Sequence, residues 1–421
     1  MFPAASRSRL LPMSLPFRYF GAALVFQVAA WGVLLANAGE LLVFSGGLGP
    51  VFAALHLVTL GALAMAAIGA SLQLLPVATR QPVRALGAVR LTWWLLVPGI
   101  AAFAAAAAAW RPDLMGPGAM AVVAALCIYG VLLFRNLRAA RGMRVVVLHG
   151  WAALGCLAAL AASALALVAR YEHGIALDYA AFRTAHLVLA TYGFMGLLAI
   201  GLSGFLLPML ALASPPPQRT ALTVLVIAVA ALALAALGHG AAGALAGFAA
   251  AVAHVLSMER ALRRRFRGPL GAGFPLIRMS WALLVASLVL ALLMSTGHAP
   301  ARSDLLFGVL LVPGWLLTFV LGVLQRIMPF LGSVHASTSA RGTPLISAMT
   351  PLGLLQAHGV LHVFALAALV LGIVLQRPSL LVAGAAAGLA GALVFAAFFV
   401  HVVMKVRSHG NAYPPSQPAP A

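Results

Sequence analysis

The chain has 421 residues, of which 64% are hydrophobic and only 8% charged, with a mean hydropathy of +1.08 and a formal net charge of +20. An ordinary soluble domain carries about 25% charged residues, so this composition excludes a soluble globular fold. It also excludes disorder, which requires low hydrophobicity. Cys127 and Cys156 lie singly inside apolar runs and offer neither a CxxC motif nor a disulfide framework.

A membrane-spanning helix needs about 20 mostly apolar residues. In chain order, such runs fall at 17–38, 48–77, 86–109, 116–134, 145–169, 181–210, 220–237, 240–257, 275–295, 304–332, 352–375 and 379–404. The predicted fold is an all-α membrane protein of twelve transmembrane helices, arranged as three pseudo-symmetric four-helix units (about 17–134, 145–257 and 275–404). Residues 1–16 form a predicted N-terminal tail and 405–421 a predicted disordered C-terminal tail. Breakers such as Pro112, Pro215–Pro217, Pro300, Pro351 and Pro378 separate the spans. With the N-terminus placed in the cytoplasm, 21 of the 26 basic residues fall on the cytoplasmic side, and five of the six acids fall outside. The positive-inside rule therefore predicts cytoplasmic N- and C-termini. Much of the +20 is an orientation signal. The high Ala, Gly and Arg usage suggests a GC-rich bacterial source and hence the inner membrane.

Spans 2, 6 and 10 share a pattern. They read GALAMAAIGASLQLLP, GFMGLLAIGLSGFLLP and GWLLTFVLGVLQRIMP, and all three obey G-x7-G-x6-P. The glycines permit close helix packing. The prolines Pro76, Pro208 and Pro329 sit at the cytoplasmic ends, where they can stop or kink a helix.

Ionisable groups inside a membrane are functional candidates by default. No carboxylate lies mid-span, but histidines do. His56 lies toward the outer end of span 2 and His186 at similar depth in span 6. His56 precedes its proline by twenty residues and His186 by twenty-two, about a 200° difference around a helix. The two are therefore not symmetry copies, although facing helices could bring them to one ligand. His358 and His362 in span 11 are four residues apart and share one face. Imidazole nitrogen suits iron and copper, and a haem needs an axial histidine beside an apolar slot. Gly61, Gly193 and Gly314 lie one or two turns below the outer histidines, where a missing side chain could admit a flat macrocycle. Tyr192 and Trp315 lie near the same level and could pack on a ring. His149, His254 and His401 read as interfacial, and an imidazole bonded to a neighbouring carbonyl is the alternative for any single histidine.

On these features the chain resembles a divergent form of the subunit I superfamily of haem–copper oxidases. The resemblance rests on twelve spans, the repeat, and an outer histidine in span 2 followed by a Gly-rich helix ending in proline. It implies His56 as an axial ligand of a low-spin haem and places His186 in the span that supplies a copper ligand. The family's H-x-H pair is missing from span 10, its paired histidines from span 7, and its H-x3-Y motif from span 6. The resemblance thus implies haem b held by His56 with His186, His358 or His362, copper as a further metal, and no complete oxygen-reducing centre. The chain is also similar in span count to the haem- and copper-containing NnrS family, linked to nitric oxide stress, without its W-H and R-x-x-x-G-H motifs. The implied role is respiratory electron transfer or diatomic-gas (NO or O2) handling, as an oxidoreductase if it is an enzyme. The implied partners are the bilayer, a small redox protein or quinone, and accessory subunits or further copies, with no nucleic acid. The contrasting expectation is a transporter or a cofactor or metal assembly factor with transient histidine ligands.

Overall fold

The computed structural model describes residues 10–266, 268, 270–336 and 345–410. Among these residues there is no strand, and twelve helices are long and apolar enough to cross a membrane. They are α1 (Ser14–Ala36), α2 (Pro50–Thr79), α3 (Leu86–Ala108), α4 (Pro112–Arg138), α5 (Arg144–His173), α6 (Tyr179–Ala211), α7 (Gln218–Ala236), α8 (Gly240–Arg263), α9 (Gly273–Ser295), α10 (Ser303–Ala336), α11 (Leu352–Val374) and α12 (Pro378–Gly410). Twelve crossings put the start of α1 and the end of α12 on one face, the terminal face; the other is the far face. The predicted tails start differently: α1 begins at Ser14 and α12 runs on to Gly410, while 1–9 and 411–421 lie outside the described residues.

Side chains close the helix ends. Asp178 accepts from the Ala181 amide at 3.0 Å and caps α6. Glu172, at the end of α5, accepts from the Gly116 amide at 2.6 Å and neutralises an orphan donor in the first turn of α4. On the terminal face the α4–α5 loop closes on α2, with the Arg141 and Met143 amides donating to Thr79 and Ala78 carbonyls at 2.9 and 3.0 Å. Gly142 sits so close to the Ala78 carbonyl that no Cβ fits there.

The three patterned spans are the most buried, with 61% of the apolar window enclosed in α2 and 67% in both α6 and α10. Their glycines pack against the preceding helix. Gly61 and Gly69 meet Phe26 and Tyr19 of α1, Gly193 and Gly201 meet Cys156 and His149 of α5, and Gly314 and Gly322 meet Leu283 and Ile277 of α9. The prolines do not stop the helices. α2 and α6 run three residues further and end at left-handed Arg80 and Leu212, each four residues after its proline, and α10 continues to Ala336.

Each of these spans also contains an eight-residue π-helical segment: Leu57–Ala64, Leu189–Gly196 and Leu310–Leu317. All three begin nineteen residues before the proline, so the local repeat extends beyond glycine and proline. The α10 segment touches the other two. A π turn breaks the i→i−4 ladder and needs compensating donors. Threonine supplies them: Thr59 donates to the Leu55 carbonyl at 3.0 Å, Thr191 to Leu187 at 2.7 Å and Thr318 to Pro313 at 2.9 Å. Thr59 and Thr191 are the third residues of their segments.

Candidate functional site: a two-histidine cavity

A cavity of about 700 Å³ runs through the far-face half of the bundle, within the ~300–1,000 Å³ range of small-molecule sites. His56 and His186 both line it, together with Thr59, Thr191, Tyr192 and Trp315. Its wall is otherwise overwhelmingly apolar. At the far-face end, Arg183, Tyr179 and Asp304 line it beside the Phe44–Gly47 stretch.

Both imidazoles are oriented from behind. His56 Nδ1 lies 3.0 Å from the Phe52 carbonyl, which can only accept, so Nδ1 carries the proton. The ring is braced by Phe52 (centroids 4.1 Å apart) and, edge-on, by Phe103 (5.3 Å). His186 Nδ1 lies 3.4 Å from Ser163 Oγ of α5. That hydroxyl donates to the Leu160 carbonyl at 2.9 Å and so accepts the proton of Nδ1. In both residues Nε2 is left as a bare lone pair. A histidine that donates one ring N–H to a carbonyl or hydroxyl and presents the other nitrogen has the arrangement of a metal ligand.

Tyr192 and Trp315, in the π segments of α6 and α10, stack with centroids 5.3 Å apart and an interplanar angle of 28°. Ser287 Oγ donates to the Leu284 carbonyl, so the Tyr192 hydroxyl donates to Ser287 at 2.9 Å. Both aromatic residues form cavity wall. Gly61, Gly193 and Gly314 do not. Their missing side chains are matched by Phe26, Cys156 and Leu283, so these glycines serve helix packing and open no slot for a macrocycle.

His358 and His362 are elsewhere. They are 1% and 2% exposed, lie in the seam between α10, α11 and α12, and are absent from the cavity wall. His362 Nε2 pairs with Thr318 Oγ at 2.7 Å, and His358 Nδ1 with the Gln325 amide nitrogen at 3.1 Å. The two rings stack 5.8 Å apart, with Phe395 4.6 Å from His358. The expectation that either might face His56 across one slot is therefore not met. Each is taken up by a neighbour on α10 that turns its polar edge into the seam. Among the described residues, no three His, Cys, Asp or Glu side chains converge on one point.

His149 and His254, expected at the interface, are instead buried at 2% and 7% exposure. His149 Nδ1 donates to the Val145 carbonyl at 2.9 Å, leaving Nε2 enclosed without a partner. His254 Nε2 lies 3.5 Å from Ser203 Oγ, with its ring edge-on to Trp281. The repeat could have exposed this pair: Gly201 and Ser203 of α6 match Gly69 and Ser71 of α2, which carry Tyr19 and Tyr129 at the corresponding places.

Arg183 was legible only as a far-face charge. It lies over the Tyr179 ring at 5.8 Å, with Arg170 over the same ring at 5.3 Å. The end of an apolar, two-imidazole cavity thus carries one arginine and one carboxylate, Arg183 and Asp304. Compared with known proteins, the chain matches no protein-family model and no curated protein.

Proposed function

We propose that the protein is an integral membrane b-type haem-binding protein of haem–copper-oxidase-like architecture, serving respiratory electron transfer or diatomic-gas handling. The observation that supports this reading best is the pair His56 and His186. Each has its Nδ1 proton engaged and its Nε2 free, and both face one apolar cavity of about 700 Å³. The donor set fits a haem iron: neutral imidazole nitrogen, no competing carboxylate at the histidine level, and aromatic walls.

When bound, haem would supply one-electron chemistry, with a diatomic-gas site only where one of the two imidazoles gives way. The chain's own residues do the rest. His56 and His186 would hold the iron. Phe52 and Phe103 fix the His56 ring, Ser163 fixes that of His186, and the apolar wall excludes water. Arg183 would meet acidic groups directed toward the far face. The seam histidines His358 and His362 have no part in this site. The charge distribution supports insertion with both chain ends in the cytoplasm of a bacterial cell, with the cavity then toward the outer side.

The test is purification in detergent after haem-replete expression, followed by a reduced-minus-oxidised visible spectrum and a pyridine haemochrome assay. Near-stoichiometric haem b with low-spin bands is expected. Absence of haem under those conditions would overturn the proposal and favour a transporter or assembly factor with transient histidine ligands.

A further inference from the structure

A groove on the terminal-face half of the molecule lies outside the cavity and independent of it. It runs between α8 and α9 and is walled by Val255, Glu259 and Arg263 on one helix and Arg278, Ala282 and Val285 on the other. The spacing explains the alignment. Residues four apart share a helix face, so each helix offers one stripe, charged toward the terminal face and apolar toward the middle of the span. Trp281, 3% exposed, forms the floor.

The charges are unequal. Arg278 grips Glu259 with two parallel hydrogen bonds, at 2.6 and 2.9 Å, so the carboxylate is already satisfied. Arg263 is exposed and has no ion-pair partner among the described residues. The groove therefore carries one uncompensated positive charge above an apolar trough, with exposed Arg260 and Arg264 flanking it.

We propose that this groove is a binding site for one anionic phospholipid. The phosphodiester sits at Arg263, beside the Arg278–Glu259 pair, and an acyl chain lies along Val255, Ala282 and Val285. A phosphodiester carries the single negative charge that the groove lacks. A zwitterionic headgroup brings an ammonium as well, and the one carboxylate that could receive it is held by Arg278. Basic side chains at the headgroup level attract anionic lipid in this way, and the trough supplies the apolar half of the recognition.

The experiment uses the full-length protein, delipidated in detergent and titrated with phosphatidylglycerol or chain-matched phosphatidylcholine, with bound lipid counted by native mass spectrometry. Wild type is expected to retain one phosphatidylglycerol at least several-fold more tightly than phosphatidylcholine, with the preference falling as salt rises. Arg263→Gln should abolish the preference. Arg219→Gln, an exposed arginine elsewhere on the terminal face, should leave it intact. Val285→Trp fills the trough while keeping every charge, and should weaken both lipids. Arg278→Gln is a poorer probe because it strands Glu259. Equal retention of the two lipids by wild type, an unchanged preference in Arg263→Gln, or an equal loss in Arg219→Gln would overturn the proposal. So would full retention in Val285→Trp, or displacement of the lipid by inorganic phosphate.

Discussion

Two of the histidine pairs in the protein's interior differ in the space that surrounds their rings. In the cavity, His56 and His186 are anchored through Nδ1 and turn Nε2 toward open volume. In the seam, His362 spends Nε2 on Thr318, and His358, held by Gln325 and Phe395, keeps an unpartnered Nε2 enclosed by protein. Residue type is the same. The presence of space is not. A buried imidazole becomes a candidate ligand when its anchoring bond leaves a nitrogen facing a void, and a packing element when neighbouring helices close over it.

The contrast is open to direct attack. The largest expected effect is at the cavity: His56→Ala and His186→Ala should each lower bound haem more than tenfold, measured by pyridine haemochrome per protein. His358→Ala should leave haem content intact while lowering the thermal midpoint. If His358→Ala empties the protein of haem instead, the two pairs have been assigned to the wrong roles. Next comes packing. Gly61→Val drives a branched side chain into Phe26, against which even a Cβ is too close. Overpacking of this kind costs about 1–3 kcal/mol, to be read as a lower midpoint in detergent. Thr318→Val removes the partner of His362 Nε2 and strands a buried polar nitrogen, at about 1–3 kcal/mol, again with haem retained. The smallest effect is expected from Tyr192→Phe. It deletes one hydrogen bond to Ser287 at about 0.5–1.5 kcal/mol and keeps the stacked wall. A large spectral change in that variant would show that the hydroxyl acts on the ligand rather than on the helix pair.

Much of the fold was legible because the bilayer demands long apolar helices. All twelve predicted runs coincide with helices to within a few residues, apart from longer ends at α4, α5, α8, α10 and α12. The pairing of His56 with His186 was one of the combinations left open. Choosing it required knowing which helices surround which void, and that depends on packing far apart in sequence. The glycines illustrate the same limit. Their spacing announced close approach, but not that Phe26, Cys156 and Leu283 would be the partners. The π segments left no compositional mark, since leucine, glycine and alanine serve either helix type. His149 and His254 were misjudged because depth was read from distance to the nearest loop. Burial of His149 came instead from Gly201 drawing α5 against α6, and His254 is enclosed beside Ser203 and Trp281.

The π segments also bear on motion. In each of α2, α6 and α10 the wide turns lie at mid-span, with the proline-bearing half on the terminal side. Migration of such a register fault by one residue turns the residue it passes by about 100° while the helix on either side keeps its place. His56 directly precedes its segment, so a single step of the fault toward the far face would turn its imidazole, whereas His186 lies three residues before its own. The three faults meet through α10, so a step in one bears on the others. The wide turns thus give the bundle a way to re-aim an imidazole at the cavity without unseating either end of its helix.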